Sequence, residues 1–413
     1  MFSPLSRKDR ALLVSLIVLA GFVCAVFFHY YLGVYKGFPY PRNTFLIDPT
    51  DARMDFYNTF IVFQAGTPYA NPRIAYFPFA GVPFYLISFL PARLVLISML
   101  ALFVAAVAGL LYRALDFLPR YERLTTTAIL SFLSYPFLFG VDRANIECLL
   151  FALLCGFFVA YRRNYLKISV GFLACATAMK LYPGVFVVLF LARKQYKAAL
   201  GTIALTSLLT VVGAAVSQGG ILSSFYGLRH NLREFKEYFI LTDVGLHFNS
   251  SYFGLIKIGI KAFHTLPPEN VSRLLLPYTA ACLGAFALLS VYIVYCEKSF
   301  WKQVAILSFA MILFPEQSFD YKLIHILFPL AFFVRSAAHE RRDVAYSVLF
   351  GLLMIPKAFF WLKDDISISV ILNPLLMTLM LLLIVKNGVS EWSQGRSTQS
   401  RSVPAKLATP ARV

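Results

Sequence analysis

What most constrains this chain is the recurrence of apolar runs long enough, or nearly so, to cross a bilayer core of roughly 30 Å. With 59% hydrophobic and only 14% charged residues over 413 positions, too little polar surface exists to cover those runs in water. The sequence therefore predicts an all-α, polytopic integral membrane protein in which each helix satisfies its own backbone hydrogen bonds. A net charge of +18 would suggest a nucleic-acid partner in a soluble chain. Here it reads as an orientation signal, so no nucleic-acid role is expected. The six cysteines lie inside apolar runs without CxxC spacing, as expected of small apolar residues outside disulfides or zinc sites.

The first run, 11–32, follows the basic stretch Arg7-Lys8-Asp9-Arg10 and ends in bulky aromatics with no small-residue cleavage site. It is expected to be an uncleaved anchor with a cytoplasmic N-terminus. The next apolar piece, 77–90, is short and broken by Pro78 and Pro83, so it is expected to lie at the interface. Alternating onward through 93–113, 125–140, 146–161, 168–179, 183–192, 198–217, 274–296, 303–314, 323–334, 345–360 and 366–385 gives about twelve crossings. In that register the inner loops carry basic clusters such as Arg162-Arg163, Arg193-Lys194 and Arg341-Arg342; making 77–90 a crossing would turn them outward. The expected organisation is one transmembrane domain, 1–386, with a first outer loop at 34–92 and a larger one at 218–273. A Ser-, Arg- and Pro-rich cytoplasmic tail, 387–413, is expected to be disordered.

Polar residues break this apolar string at a few places, all outside in the same register. Asp55 stands in Met54-Asp55-Phe56-Tyr57-Asn58 at the start of a helix-like segment, where a carboxylate either balances a helix N-terminus or acts as a base. Other islands are Asp142-Arg143-Ala144-Asn145-Ile146-Glu147, Lys180-Leu181-Tyr182-Pro183, Asn249-Ser250-Ser251 and Glu316-Gln317-Ser318-Phe319-Asp320-Tyr321-Lys322. Lys180 sits between two runs too short to span, and a lysine near mid-membrane costs about 2.5–3.5 kcal/mol on the insertion scale unless an anion compensates. One candidate base among cations suits attack of a hydroxyl on a sugar whose leaving group is a phosphate. Arg143, Lys180 and Lys322 are the candidate phosphate contacts. The chain contains neither GxxxxGK[ST] nor a GxGxxG following a strand.

Asp55-Phe56-Tyr57, Gly66-Thr67-Pro68-Tyr69, Tyr76-Phe77-Pro78, Asp142-Arg143-Ala144-Asn145, Met179-Lys180-Leu181-Tyr182-Pro183, Asn249-Ser250-Ser251 and Pro315-Glu316-Gln317-Ser318-Phe319, in that order, resemble the family-87 glycosyltransferases. The resemblance implies a GT-C-like helical bundle with interfacial helices in the first outer loop. It implies inverting transfer of one hexose, most often mannose, from a polyprenyl-phosphate donor to a hydroxyl of a glycolipid or glycan. The base role of the family's first outer-loop aspartate carries to Asp55, and Asn145 matches the family's asparagine motif. Tyr57, Tyr182 and Asn249 join the expected substrate-binding set. Where the family often has Ser-Trp-x-His-His, this chain has Ser318-Phe319-Asp320-Tyr321-Lys322, so Lys322 is assigned the phosphate contact by inference. No cofactor is implied, and the expected location is a bacterial inner membrane with the site on the outer side.

Plainer roles compete for the same residues. Asp55 is also suited to balance the dipole of its helix, although Asp51 is available as a cap. Lys180 has the length to snorkel to the outer headgroups. Arg143 has Asp142 and Glu147 as possible loop partners, Lys322 has Asp320, and Tyr57 and Tyr182 suit the interface. His230, His247 and His264 lack metal-ligand spacing. Two other functions fit a membrane cavity lined with cations. A transporter or flippase should show paired broken helices in both halves, whereas the short hairpin here occurs once. A polymerase or ligase of lipid-linked glycans would use arginines of the large outer loop, such as Arg229 and Arg233.

Overall fold

The computed structural model describes residues 5–401 apart from 73, 218, 264, 339, 341, 363 and 364, with side chains to residue 389. Arg341 and His264, singled out above, thus lie outside the described residues. The chain runs through α1 (Arg7–Tyr30), α2 (Met54–Gln64), α3 (Gly81–Leu86), α4 (Ala92–Ala114), α5 (Arg120–Phe132), α6 (Tyr135–Arg143), α7 (Glu147–Arg162) and α8 (Leu166–Met179). It continues through α9 (Val187–Ala192), α10 (Tyr196–Val216), α11 (Gly220–Phe235), α12 (Tyr252–Lys261), α13 (Pro268–Tyr295), α14 (Phe300–Leu313), α15 (Leu327–Arg335), α16 (Asp343–Met354) and α17 (Ser369–Arg401). Among the described residues there is no β-strand, only the isolated bridges Asn249↔Phe319 and Trp361↔Ser367.

Among the described residues five helices are long and apolar enough to cross a membrane: Arg7–Tyr35, Ala92–Ala114, Tyr196–Val216, Pro268–Tyr295 and Ser369–Val389. A sixth is available if α5 and α6, bent by 55° at their junction, are taken as one broken span. Five of the expected crossings therefore appear as full-length helices, and 125–140 appears as part of the bent pair. The remaining ones are shorter, from the 6 residues of α9 to the 16 of α7. The physical reason is visible in α14, whose 14 residues are almost all buried. A helix walled by other helices needs no lipid-facing length, and hydropathy alone does not tell a protein neighbour from a lipid one. All-helical architecture thus stands, with five or six of the expected crossings present as full-length helices among the described residues. The last helix continues to Arg401, beyond Asn387 where the tail was expected to begin; residues 402–413 lie outside the described ones.

The core is a run of aromatic contacts along α7. Phe151 stacks on Phe328 with ring centroids 4.5 Å apart, and Phe158 meets the same ring at 4.7 Å. These contacts bind α7 to α15, while α7 also packs along α4 and α8, and α8 along α10. The segment between α1 and α4, expected to be the first outer loop, folds onto this bundle. Its turn Pro78–Ala80 lies against α10, where Gly213 allows backbone to approach backbone. A Cβ built on Gly213 would stand 2.5 Å from the Phe79 nitrogen. Asn231 of α11 closes the loop from the other side, its amide donating to the carbonyls of Asn71 and Ile74 at 2.8 and 2.9 Å.

Three breaks in the helices meet at one end of α7. Helix α6 closes on Ala144 in the left-handed region (φ 45°, ψ 40°), which frees Asn145 and starts α7 at Glu147. Helix α8 stops at Lys180, whose backbone is extended (φ −147°, ψ 136°), before the tight turn Tyr182–Phe186. The third is the 3-10 turn Asp320–Ile326 leading into α15, against which α6 packs. Irregular backbone at such depth is tolerated only where protein buries it or it lines a cavity, so this junction is where polar chemistry belongs.

Gly213→Ala is expected to lower stability by about 1–3 kcal/mol through overpacking against immobile backbone. Thermal unfolding of the purified protein in detergent would show it as a lower midpoint, while Gly171→Ala, where a Cβ meets nothing within 4 Å, should leave the midpoint nearly unchanged.

Candidate active site

Asp55 occupies the first turn of α2, after Arg53 in the left-handed conformation (φ 63°). The Arg53 amide donates to the Asp142 carbonyl at 2.7 Å, fastening the start of α2 to the end of α6. This joint brings Arg143 to Asp55: the guanidinium donates a short hydrogen bond to Asp55 Oδ1 and another, at 3.0 Å, to the Asp51 carbonyl. Asn145 Nδ2 donates to Asp55 Oδ2 at 2.8 Å and to the Tyr76 hydroxyl at 3.1 Å. Both carboxylate oxygens are thereby held by donors. The side chain remains 21% exposed, so it is reachable by a substrate.

On its other side the Asn145 amide turns its oxygen to Lys180 Nζ and to the Glu147 amide, each 3.2 Å away. Lys180 Nζ donates to Glu147 Oε1 at 2.7 Å. The Tyr182 hydroxyl makes a short bond to the same oxygen, and His325 Nε2 lies 2.9 Å from Glu147 Oε2. Glu147 is buried at the first position of α7, where the helix dipole also favours its charge. Lys180 lies 4.7 Å from the Tyr76 ring centroid and 5.1 Å from that of Tyr321, an aromatic enclosure for an ammonium.

Lys322 extends the cluster. Its Nζ is 4.5 Å from the Tyr182 ring centroid and donates to the Gln317 carbonyl at 3.3 Å. Burial lowers its pKa to about 8, with the Lys180 charge adding to the effect and Glu147 opposing it. Asp320 turns away from it: Asp320 accepts from the Tyr135 hydroxyl at 2.7 Å and the Ser250 hydroxyl at 2.6 Å.

The residues singled out in the sequence are thus divided. Asp55, Arg143, Asn145, Lys180 and Tyr182 form one connected set, with Lys322 against the Tyr182 ring. Three plainer roles fail: Arg143 pairs with Asp55 and not with Asp142 or Glu147, Lys180 is buried on Glu147 and does not snorkel, and Lys322 does not pair with Asp320. Tyr57 packs on Phe56, with centroids 5.3 Å apart. Asn249 serves as a joint: its Oδ1 accepts from the Ser251 and Ser318 amides and its Nδ2 donates to Gln317, tying the two late polar segments together. Arg233 pairs with Glu237 one turn along the exposed α11 surface. Two members of the cluster were missed as site residues, Glu147 and His325. Glu147 was legible as the last polar residue of its island. His325 lies seven residues after Ser318, inside an apolar run where a lone histidine reads as core. Among the described residues no group of His, Cys, Asp or Glu side chains has the arrangement of a metal site.

The sequence profile of glycosyltransferase family 87 matches residues 75–315. The chain belongs to glycosyltransferase family 87. That membership makes it a membrane glycosyltransferase and sets aside the transporter reading. The profile spans the Asn145, Lys180 and Asn249 segments; Asp55, ahead of it, joins them through the side-chain bonds above. No curated protein matches the sequence.

In this family-87 enzyme Glu147 is the carboxylate that Lys180, Tyr182 and His325 all bond to. Glu147→Ala strands a buried lysine and is expected to cost about 3–5 kcal/mol, whereas Glu147→Gln, which keeps an acceptor, should cost less. Thermal unfolding midpoints and recovery of monodisperse protein from detergent extracts would rank the two.

Proposed function

We propose that the enzyme moves one hexose, mannose by resemblance, from a polyprenyl-phosphate carrier to a hydroxyl of a glycolipid or glycan at the outer membrane face. Asp55 is the general base. The acceptor oxygen attacks C1 of the sugar as its proton passes to Asp55; the bond from C1 to the phosphate oxygen breaks, and polyprenyl phosphate leaves with the electron pair. Attack opposite the leaving group inverts the anomeric centre. Arg143, Lys180 and Lys322 stabilise the phosphate as its charge grows.

The observation that carries this reading is the charge arrangement around Asp55. Arg143 and Lys180 are bonded to the carboxylates of Asp55 and Glu147, and Lys322 adds a third cation held on the Gln317 carbonyl. Glu147 is saturated by its own partners, while Asp55 is partly open beside the unspent positive charge. An anionic donor headgroup is the complement such a junction lacks. Asn145 holds Asp55 and Lys180 on opposite ends of one amide, so base and phosphate contact keep a fixed separation.

Transfer of radiolabelled mannose from polyprenyl-phosphate mannose, in membranes carrying the wild-type chain or Asp55→Asn, tests the base. The variant is expected to lose on the order of 10²–10⁴-fold in rate while eluting normally in size exclusion. Equal rates would remove Asp55 from the chemistry. Product length separates single transfer from the polymerase reading, since a polymerase would give a ladder.

Lys322 supplies a pH dependence. With its pKa lowered to about 8, it is cationic below that pH and neutral above it, so kcat/KM for the donor should fall as pH rises through about 8. Lys322→Met should have a lower kcat/KM at neutral pH and lack that limb; an unchanged pH profile in the variant would remove Lys322 from donor binding.

A further inference from the structure

One cavity lies far from Asp55. It measures about 790 Å³ and opens between α4, α7, α8 and α15. Helix α7 fixes its distance from the active site: Glu147 is its first residue and Arg162 its last, 16 residues that span on the order of 20 Å. The other helices agree, for α8 ends at Met179, next to Lys180, and begins near the cavity, and α15 begins after His325 and ends at Arg335. Active site and cavity thus occupy opposite ends of the same helices.

The walls and mouth differ in chemistry. Ala105, Ala106, Gly109, Phe172 and Phe332 line an apolar interior, while Arg113, Arg162, Arg163 and Arg335 stand around it. Among the described residues one ion pair engages these arginines, Arg335 to Asp116 at 2.7 Å, with both side chains about two-fifths exposed. The Arg162 guanidinium lies over the rings of Phe332 and Phe300 at 5.4 and 5.9 Å, which orients it without neutralising it. Apolar side chains flanking the opening are themselves exposed, Val159 by 40% and Ile168 by 53%, as suits a groove whose surroundings are hydrocarbon. Its occupant must therefore be apolar along most of its length and anionic at one end. The groove is also sterically open, since a Cβ on Gly109 meets nothing within 4 Å.

We propose that this groove binds one anionic diacyl phospholipid, its phosphate between the four arginines and an acyl chain along Gly109 and Phe172. Basic pockets between membrane helices recognise such headgroups through charge, each Arg or Lys near the surface being worth roughly fivefold in affinity. The site is distinct from the donor junction and stands whether or not the transfer chemistry above is correct. Its effect reaches the active-site end through α7 and α8, which it would brace together.

The test is native mass spectrometry of the detergent-purified full chain offered equal amounts of dioleoyl phosphatidylglycerol and dioleoyl phosphatidylcholine. The wild-type chain is expected to retain one phosphatidylglycerol in preference. The double variant Arg162→Ala/Arg163→Ala should weaken that retention by roughly 30-fold. Gly109→Leu, which leaves every charge in place and fills the groove, should also abolish the preference, and size exclusion would confirm that both variants fold. Equal retention of the two lipids, or an undiminished preference in either folded variant, would overturn the proposal. So would full displacement of the lipid by millimolar inorganic phosphate, which would make this a site for the free anion.

Discussion

The carboxylate of Glu147 is the contact on which the rest of the site depends. It receives Lys180 and Tyr182 from the segment after α8 and His325 from the turn before α15, while its own backbone begins α7. Three chain breaks that would otherwise expose unsatisfied polar groups within a membrane bundle are drawn into one knot. The knot works because each member supplies what another lacks. The lysine gives a charge that the carboxylate needs, the helix N-terminus favours that carboxylate, and the aromatic rings of Tyr76, Tyr182 and Tyr321 enclose the lysine. Remove the acid and the same cations would repel one another in a low-dielectric junction.

This arrangement also explains why the helices around it are short. A chain that must deliver polar side chains to one level of a bundle cannot run every helix from face to face. Helices α7, α8 and α15 end or begin at the junction, and the long helices α4 and α10 pass beside it as walls. Length is spent on the lipid-facing elements and withheld from those that carry chemistry. The bend between α5 and α6 serves the same end, since it brings Asp142 and Arg143 across to meet α2.

Much of the site was legible in the sequence because polar residues stand out against an apolar background. Asp55, Arg143, Asn145, Lys180 and Tyr182 could be picked from their islands before any contact was known, and the resemblance to family 87 placed them in order. What sequence could not give was who pairs with whom. Glu147 looked like a partner for Arg143 because it is near in the chain, but the turn at Ala144 points the two in different directions. His325 was hidden by its apolar neighbours, although burial against Glu147 makes it a central contact. Asn249 entered the expected set by resemblance, and its bonds, which join two loops, were not readable from the sequence. Which crossings are full-length helices was hidden for a related reason, because hydropathy reports how apolar a segment is and not whether its neighbour is lipid or protein.

Asn145 has a consequence of its own. One neutral amide stands between two carboxylates, giving its hydrogens to Asp55 and its oxygen to the group paired with Glu147. It acts as electrical insulation: each acid sees a donor or a cation at close range and the other acid only across a dipole. The amide can take only one orientation, since flipping it would set oxygen against Asp55 and hydrogens against an ammonium. The two halves of the junction therefore share a polarity fixed by a single uncharged side chain, and deamidation there would place a third acid between the other two and remove the difference between the partly open carboxylate and the buried one.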